Sequence, residues 1–236
     1  MRVRVGVASQ KIVVRAMELP VVSDPGELDT AVRFQAADQI PMPMDSAVLD
    51  HVPLDVVDSG AGPRQRVLLV AARRDMIERI LAAVHRAGLR PEGIDLAAFA
   101  MVRALHRDHH DEHVLYLAVG GLTNLAVAEG TTCLFTRPLS AEWDSVDDNV
   151  ASGLAEEIRL SIDFYMAQPE ARWVGEVVLS GPGARRGGLA DQLGGMIDVP
   201  VTVAEPLGRL GENSIHPDED AYRHTIAAGL ALGSAS

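Results

Sequence analysis

The sequence predicts a mixed α+β / α/β protein built as two lobes. Three observations carry that prediction. The chain has 236 residues and is 47% hydrophobic, enough for one large or two small cores, since domains run to roughly 100–200 residues. Strand-like and helix-like periodicities alternate along its whole length. The first part, to about residue 94, also orders its elements differently from the rest.

The opening "MRVRVGVASQ" and the following "KIVVRAMEL" have strand composition on either side of a short turn, and a hairpin of Val3–Val7 with Lys11–Leu19 is the natural expectation. Pro20 ends it. In "SDPGELDTAVRFQAADQ", Ser23 and Asp24 are candidate N-caps, Pro25 suits the first turn, and the acidic residues favour the positive end of a helix. Pro41 must stop that helix, because the residue before a proline is pushed out of α geometry. "AVLDHVPLDVV" reads as extended and "RQRVLLVAAR" as a buried strand. Met76, Ile77, Ile80, Leu81 and Val84 then share one helical face, with Gly88 as the stop and Pro91 just beyond. The order is strand, strand, helix, strand, strand, helix.

The second part opens with the helix "AAFAMVRALHRD". "HVLYLAVGGLTNLAVAEGTTCLFTRPL" follows as a three-stranded meander turning at Gly120-Gly121 and at Glu129-Gly130. Next comes an amphipathic helix with Leu154, Ile158, Ile162 and Tyr165 on one face. The chain continues through a buried strand in "WVGEVVLS", a glycine-rich loop, a helix starting near Gly187, a short strand in "PVTVAEP" and a terminal helix in "DEDAYRHTIAAGLAL".

Charge and cysteine content exclude several functions. A formal net charge of −12 and no Lys/Arg cluster argue against nucleic acid or an anionic lipid surface as partner. The single cysteine, Cys133, cannot close an internal disulfide and reads as a small buried strand residue. The N-terminus lacks a signal-peptide core, and no apolar run reaches the about 18 residues that cross a bilayer, so the expectation is a cytoplasmic protein without membrane insertion.

Candidate chemistry concentrates at glycine turns. Gly120 and Gly121 follow one strand, and Gly181 and Gly183 another. Such turns let main-chain N–H groups approach an anion, although an ordinary tight turn has the same composition. Neither turn is a Walker loop or a dinucleotide fingerprint. His106, His109, His110 and His113 crowd into "HRDHHDEH", and Asp144, Asp147 and Asp148 into "EWDSVDDNV". Neither group has the partners or spacing of a metal site, and no metal site is expected.

Taken in order, "VRFQAADQIPMPMDSAVLD", "VLLVAARRDMIERILAAVHRAGLRPEGIDLAAFAMVRAL", "GGLTNLAVAEGTTCLFTRPL", "EEIRLSIDFY" and "VVLSGPGARRGGLADQL" resemble the PilM family of type IV pilus assembly proteins. That family belongs to the actin-like ATPase superfamily and is close in fold to the cell-division protein FtsA. The resemblance spans nearly the whole chain, and the "IPMP" knuckle after a helix is its most specific part. It implies an actin-like (ribonuclease H-like) lobe with an N-terminal strand-helix-strand-strand module. Residues 1–94 would be that module, 95–113 a linking helix, and 114–236 the second actin-like lobe with a reduced small subdomain.

The function implied is a scaffold under the inner membrane. It would grip the cytosolic tail of the membrane protein PilN and contact other pilus assembly proteins. A second copy of the chain covering an exposed sheet edge is a further partner left open. The partner surface would comprise Arg33, Phe34, Ile40, Pro41, Met42 and Pro43, because prolines stiffen an apolar edge without offering loose donors. The alternative is that Ile40, Met42 and Met44 plug the module's own core.

Nucleotide chemistry is where the sequence departs from the family. The first phosphate-loop strand, of the form Gly-Leu-Asp-Ile-Gly-Ser, is not among these residues. Where the second loop has Asp-Ile-Gly, this chain has Ala118, Val119 and Gly120. Gly120, Gly121, Thr123 and Asn124 survive at that loop, and Gly181 and Gly183 at the adenosine loop, with Pro182 in place of a usual glycine. ATP is the one cofactor these residues admit, held weakly, and no catalytic residue is identified. The other functional reading is a nucleotide-binding actin-like ATPase or sugar-kinase relative.

Overall fold

The computed structural model describes residues 1–58, 60, 62–107, 112–139, 149–168, 171–206 and 220–233. In chain order these form β1 (Arg2–Val7), β2 (Val13–Pro20), α1 (Pro25–Gln39), β3 (Ala47–Asp58), β4 (Pro63–Arg73), α2 (Arg74–Arg86), β5 (Arg90–Leu96) and α3 (Ala97–Leu105). The chain continues through β6 (His113–Ala118), β7 (Thr123–Glu129), β8 (Thr132–Leu139), α4 (Asn149–Met166), β9 (Val174–Ser180), α5 (Leu189–Gly194), β10 (Val201–Val203) and α6 (Thr225–Leu232). They divide into two compact units, Met1–Val3 with Ser9–Pro91, and Arg4–Ala8 with Glu92–Ser236.

The first unit is an antiparallel sheet in the order β2-β4-β3 with α1 on one face. Asp24 caps α1 by accepting hydrogen bonds from the N–H groups of Gly26 (2.8 Å) and Glu27 (2.9 Å). Pro25 follows at the first helical position, where a missing donor is harmless. Leu28, Val32 and Ala36, one turn apart, point inward against Val67, Leu69 and Ala71 of β4. The helix ends at Ile40, which is already extended, because Pro41 cannot follow an α residue. Pro53 has no N–H to give β4, and the β3 register slips between Pro53 and Val56. The Gln65 side-chain amide donates to the carbonyls of Leu54 and Asp55 at this bulge, both at 3.2 Å. α2 begins directly after β4, and Gly88 ends it with φ at +72°, a conformation that costs glycine little.

The hairpin expected of the first two strands does not form. β1 pairs with β5, and β2 pairs with β4 instead. Alternation of apolar residues identifies a strand but says nothing of its neighbour, and the turn near Ser9 closes on itself through Ile12 N–H to the Ser9 carbonyl, 3.1 Å.

The second unit is a five-stranded sheet in the order β10-β9-β6-β7-β8. β6, β7 and β8 form the antiparallel meander the sequence predicts, while β9 and β10 run parallel to β6. Parallel neighbours need crossovers, which α4 and α5 supply. Leu154, Ile158 and Tyr165 of α4 pack with Leu115, Leu117 and Leu179 on one face, as the helical spacing predicts. On the other face Met101, Val102 and Leu105 of α3 pack with Val114, Tyr116 and Val178. Every residue of β6 is therefore buried.

α3, expected as the helix joining the lobes, is buried at seven of its nine positions and forms a wall of this core. It lies so close to α6 that a Cβ on Gly229 would sit 1.7 Å from the Ala100 carbonyl oxygen. Arg103 locks the crossing: its Nε donates to the Gly229 carbonyl (3.1 Å) and its guanidinium pairs with Asp95.

Candidate functional site

Both predicted glycine turns fall at the same end of the second unit's sheet. Ala118, the last residue of β6, pairs with Ser180, the last of β9, so the two loops leave the sheet side by side. They line an open cleft of about 610 Å³ together with the segment that opens α6. Gly120, Gly121, Asn124, Gly181 and Gly183 all line it. Thr123 does not: it is buried, with its hydroxyl 3.4 Å from the Gly120 carbonyl. The Asn124 amide donates to the Leu122 carbonyl at 3.1 Å, so both side chains brace the turn.

The conformations of Gly181 and Gly183 follow from packing. A Cβ on Gly181 would lie 2.4 Å from the Val119 carbonyl oxygen, and φ there is +83°. A Cβ on Gly183 would lie 2.1 Å from Val119 Cγ1. The Gly183 N–H donates to the Val119 carbonyl (3.0 Å), and those of Ala184 and Arg186 donate to Gly181 and Gly183 (3.0 and 3.1 Å). Val119 itself donates to the Ser180 carbonyl at 2.8 Å. Val119 thus occupies the space that the glycines open, and the loop's donors are spent within the fold. By contrast, a Cβ on Gly121 would meet nothing within 4 Å.

The cleft lining also holds residues the sequence reading did not single out: Arg186, Asp220, Tyr222, Arg223 and Thr225. Thr225 ties α6 to the sheet through a buried 2.9 Å contact between its hydroxyl and that of Ser180. Asp220 is the one carboxylate in the described lining. It caps the Tyr222 N–H (3.2 Å) and faces Arg185 (3.7 Å) and Arg223 (3.9 Å). The Arg185 guanidinium also lies 5.7 Å from the Tyr222 ring centroid. Burial, reinforced by the nearby Glu205 charge and opposed by Arg185, raises the pKa of the Tyr222 hydroxyl. "GPGARR" and "DAYRH" carry these side chains in plain view, but only their spatial meeting gives them a common role.

Among the described residues the cleft lining offers little to hold a metal-bound nucleotide. The strand end that would offer a carboxylate carries Ala118 and Val119, and Asp220 is engaged by a backbone donor and two guanidiniums. Among the described residues no group of three His, Cys, Asp or Glu side chains is placed to hold a metal ion. His106 and His113 lie apart in role: the first approaches the Arg103 carbonyl at 3.3 Å, while the second is buried against the Tyr165 hydroxyl. His109, His110, Asp144, Asp147 and Asp148 lie outside the described residues. Cys133 is buried, which pushes its thiol up to about 12 and leaves it un-ionised at neutral pH.

The expected partner surface lies in the first unit. Phe34 is 83% exposed on α1, beside a concavity of about 570 Å³ lined by Asp24, Gly26, Glu27, Thr30 and Ala31. Arg33 is exposed and pairs with Asp29, one turn back, at 2.9 Å. The knuckle divides by side. Pro41 and Pro43 face outward. Ile40 is buried in the unit's core, and Met42 and Met44 pack against it.

A five-stranded sheet whose meander is followed by two parallel strands, with helices on both faces and paired glycine turns over a cleft, defines an actin-like lobe of the ribonuclease H-like plan. The family model for type IV pilus assembly protein PilM matches residues 1–152, well over half of the chain, and the chain belongs to that family. Its fold is that of the solved PilM-PilN type IV pilus biogenesis complex, with a TM-score of 0.81, 23% identity, and coverage of 100% of this chain and 80% of that one. A protein of actin-like ATPase fold and unknown function from Bacteroides thetaiotaomicron is more distant (TM-score 0.48, 11% identity, 98% and 73% coverage). So is the ethanolamine utilization protein EutJ from Carboxydothermus hydrogenoformans (TM-score 0.45, 14% identity, 64% and 59% coverage).

Proposed function

We propose that this type IV pilus assembly protein is a scaffold on the cytoplasmic face of the inner membrane. It grips the cytosolic tail of a PilN-type membrane protein and does so without hydrolysing ATP. The observation that carries the reading is the β6 turn. Val119 takes up the room between the glycine loops, and the end of β6 carries no carboxylate to orient a metal or a water, while phosphoryl transfer depends on such positioning. No helix among the described residues is long and apolar enough to cross a membrane. That suits a role at the bilayer through a partner.

Exposed Phe34 is the anchor of the partner surface in this reading. Arg33, Pro41 and Pro43 flank it outside, while Ile40 and Met42 stiffen it from within. A buried aromatic anchor typically dominates such a contact. The cleft's volume lies within the ordinary range for small-molecule sites. A nucleotide held there without turnover would leave peptide affinity unchanged.

The test is a titration of the chain with the N-terminal tail peptide of a PilN-type protein, with and without Mg-ATP. Affinity should be the same in both, and Phe34→Ala should weaken it about tenfold. Equal affinity in the Phe34→Ala variant would remove α1 from the contact. Sustained phosphate release by the purified chain would overturn the non-hydrolytic reading.

A further inference from the structure

We propose that the outward face of α4 in the second unit is a docking site for a cationic amphipathic segment of another protein. This surface is on a different unit from Phe34 and does not involve the cleft. Leu160 and Phe164 stand one helical turn apart and are 51% and 52% exposed, although the opposite face of the same helix is fully committed to the core. Two large apolar side chains in helical register make a patch, whereas scattered ones need no explanation.

Phe164 is also held in place before any partner arrives. Its ring packs against that of Phe135 with centroids 5.6 Å apart and planes inclined at 36°, and Phe135 is buried. An aromatic anchor fixed by its neighbour loses little freedom on binding, which is the property that makes such residues dominate interfaces.

The charges around the patch select the partner. Glu156 lies one turn before Leu160, and Asp163 lies between Leu160 and Phe164 on the exposed side. Among the described residues neither has an ion-pair partner. Of the neighbouring cations, Arg137 pairs with Glu157 at 3.0 Å, while Arg159 directs its guanidinium to the Met196 carbonyl rather than to either carboxylate. An apolar pair bordered by two carboxylates that form no ion pair within the described residues matches a segment with apolar residues one turn apart and Arg or Lys beside them. A second copy would bring the same carboxylates onto this face within a chain of net charge −12, and an anionic bilayer would be repelled likewise.

The probe is a helix-forming peptide of Leu, Ala and Arg with all leucines on one face, compared with a twin in which Glu replaces Arg. The chain should bind the cationic peptide and not the acidic one, and Leu160→Ser/Phe164→Ser should weaken binding at least about tenfold. Because Phe164 touches the core, a surface variant, Glu156→Arg/Asp163→Arg, is the companion test. It should keep the wild-type melting temperature, release the cationic peptide and accept the acidic twin. Undiminished cationic binding by both variants would overturn the proposal. So would a wild-type dimer that the serine variant abolishes, which would make the occupant a second copy. Phe164-dependent binding to vesicles of phosphatidylcholine and phosphatidylglycerol would also overturn it.

Discussion

The sheets of the two units are built from similar Val- and Leu-rich strands, but they differ in what covers them. β6 is sandwiched between helices on both faces and is buried at all six positions. β3 is an edge strand twelve residues long with only Ala47 buried, and Val52 and Val56 are about half exposed. A strand closed on both faces cannot change without disturbing two cores, whereas an edge strand beside a single packed helix can vary its outer side. The second unit therefore has the build of a rigid frame, and the first keeps an outer sheet face that can vary. The glycine loops repeat the contrast on a smaller scale, since Gly183 is filled by Val119 while Gly121 opens onto space.

The sharpest way to break that contrast is at the crossing of α3 and α6. Gly229→Val places a side chain where backbone already sits, so destabilisation should exceed about 4 kcal/mol, read from the denaturant midpoint. A loss below about 1 kcal/mol would mean the crossing is loose and the frame is not rigid. Next comes Gly183→Ala, where a Cβ must displace Val119. It should cost about 2–3 kcal/mol, and a double-mutant cycle with Val119→Ala should show a compensating coupling of about 1–3 kcal/mol. Additive effects would mean that backbone, not the Val119 side chain, resists the Cβ.

Polar groups should follow the same division. In the second unit the buried Glu176 carboxylate accepts from Arg107 (2.9 Å) and Thr202 (2.5 Å). Glu176→Gln should cost about 1–3 kcal/mol, because the amide keeps an acceptor oxygen but loses the negative charge that pairs with Arg107. In the first unit, removal of the Asp24 cap by Asp24→Ala should cost about 1 kcal/mol. A cost for Asp24→Ala larger than for Glu176→Gln would reverse the ranking of the two units.

The smallest effect at neutral pH belongs to Cys133. Its folded-state pKa of about 12 lies above the ordinary 9.0, so its contribution is complete below pH 9 and is lost as pH rises toward 12. Thiol alkylation at pH 8 should be slow in the native chain and fast in denaturant; equal rates would show that the β8 strand opens readily.

α1 was legible almost to the residue, because its signals are local: Asp24 and Pro25 start it, and Pro41 ends it just beyond Ile40. The meander from β6 to β8 and the buried face of α4 were legible for the same reason, since period and turn chemistry act within a few residues. The partner of β1 was not legible. Neither was the meeting of Arg186 with Tyr222 and Thr225, which come together only because the end of β9 meets the start of α6. The glycines of the second loop show the limit most plainly. Sequence alone established that the chain there adopts a conformation suited to glycine, but only the tertiary structure decided what fills the resulting space. Local periodicity determines which segments become helix or strand. Which surfaces then meet is set by long-range packing, where a single side chain such as Val119 decides whether a gap between loops is closed by the protein or left to a ligand.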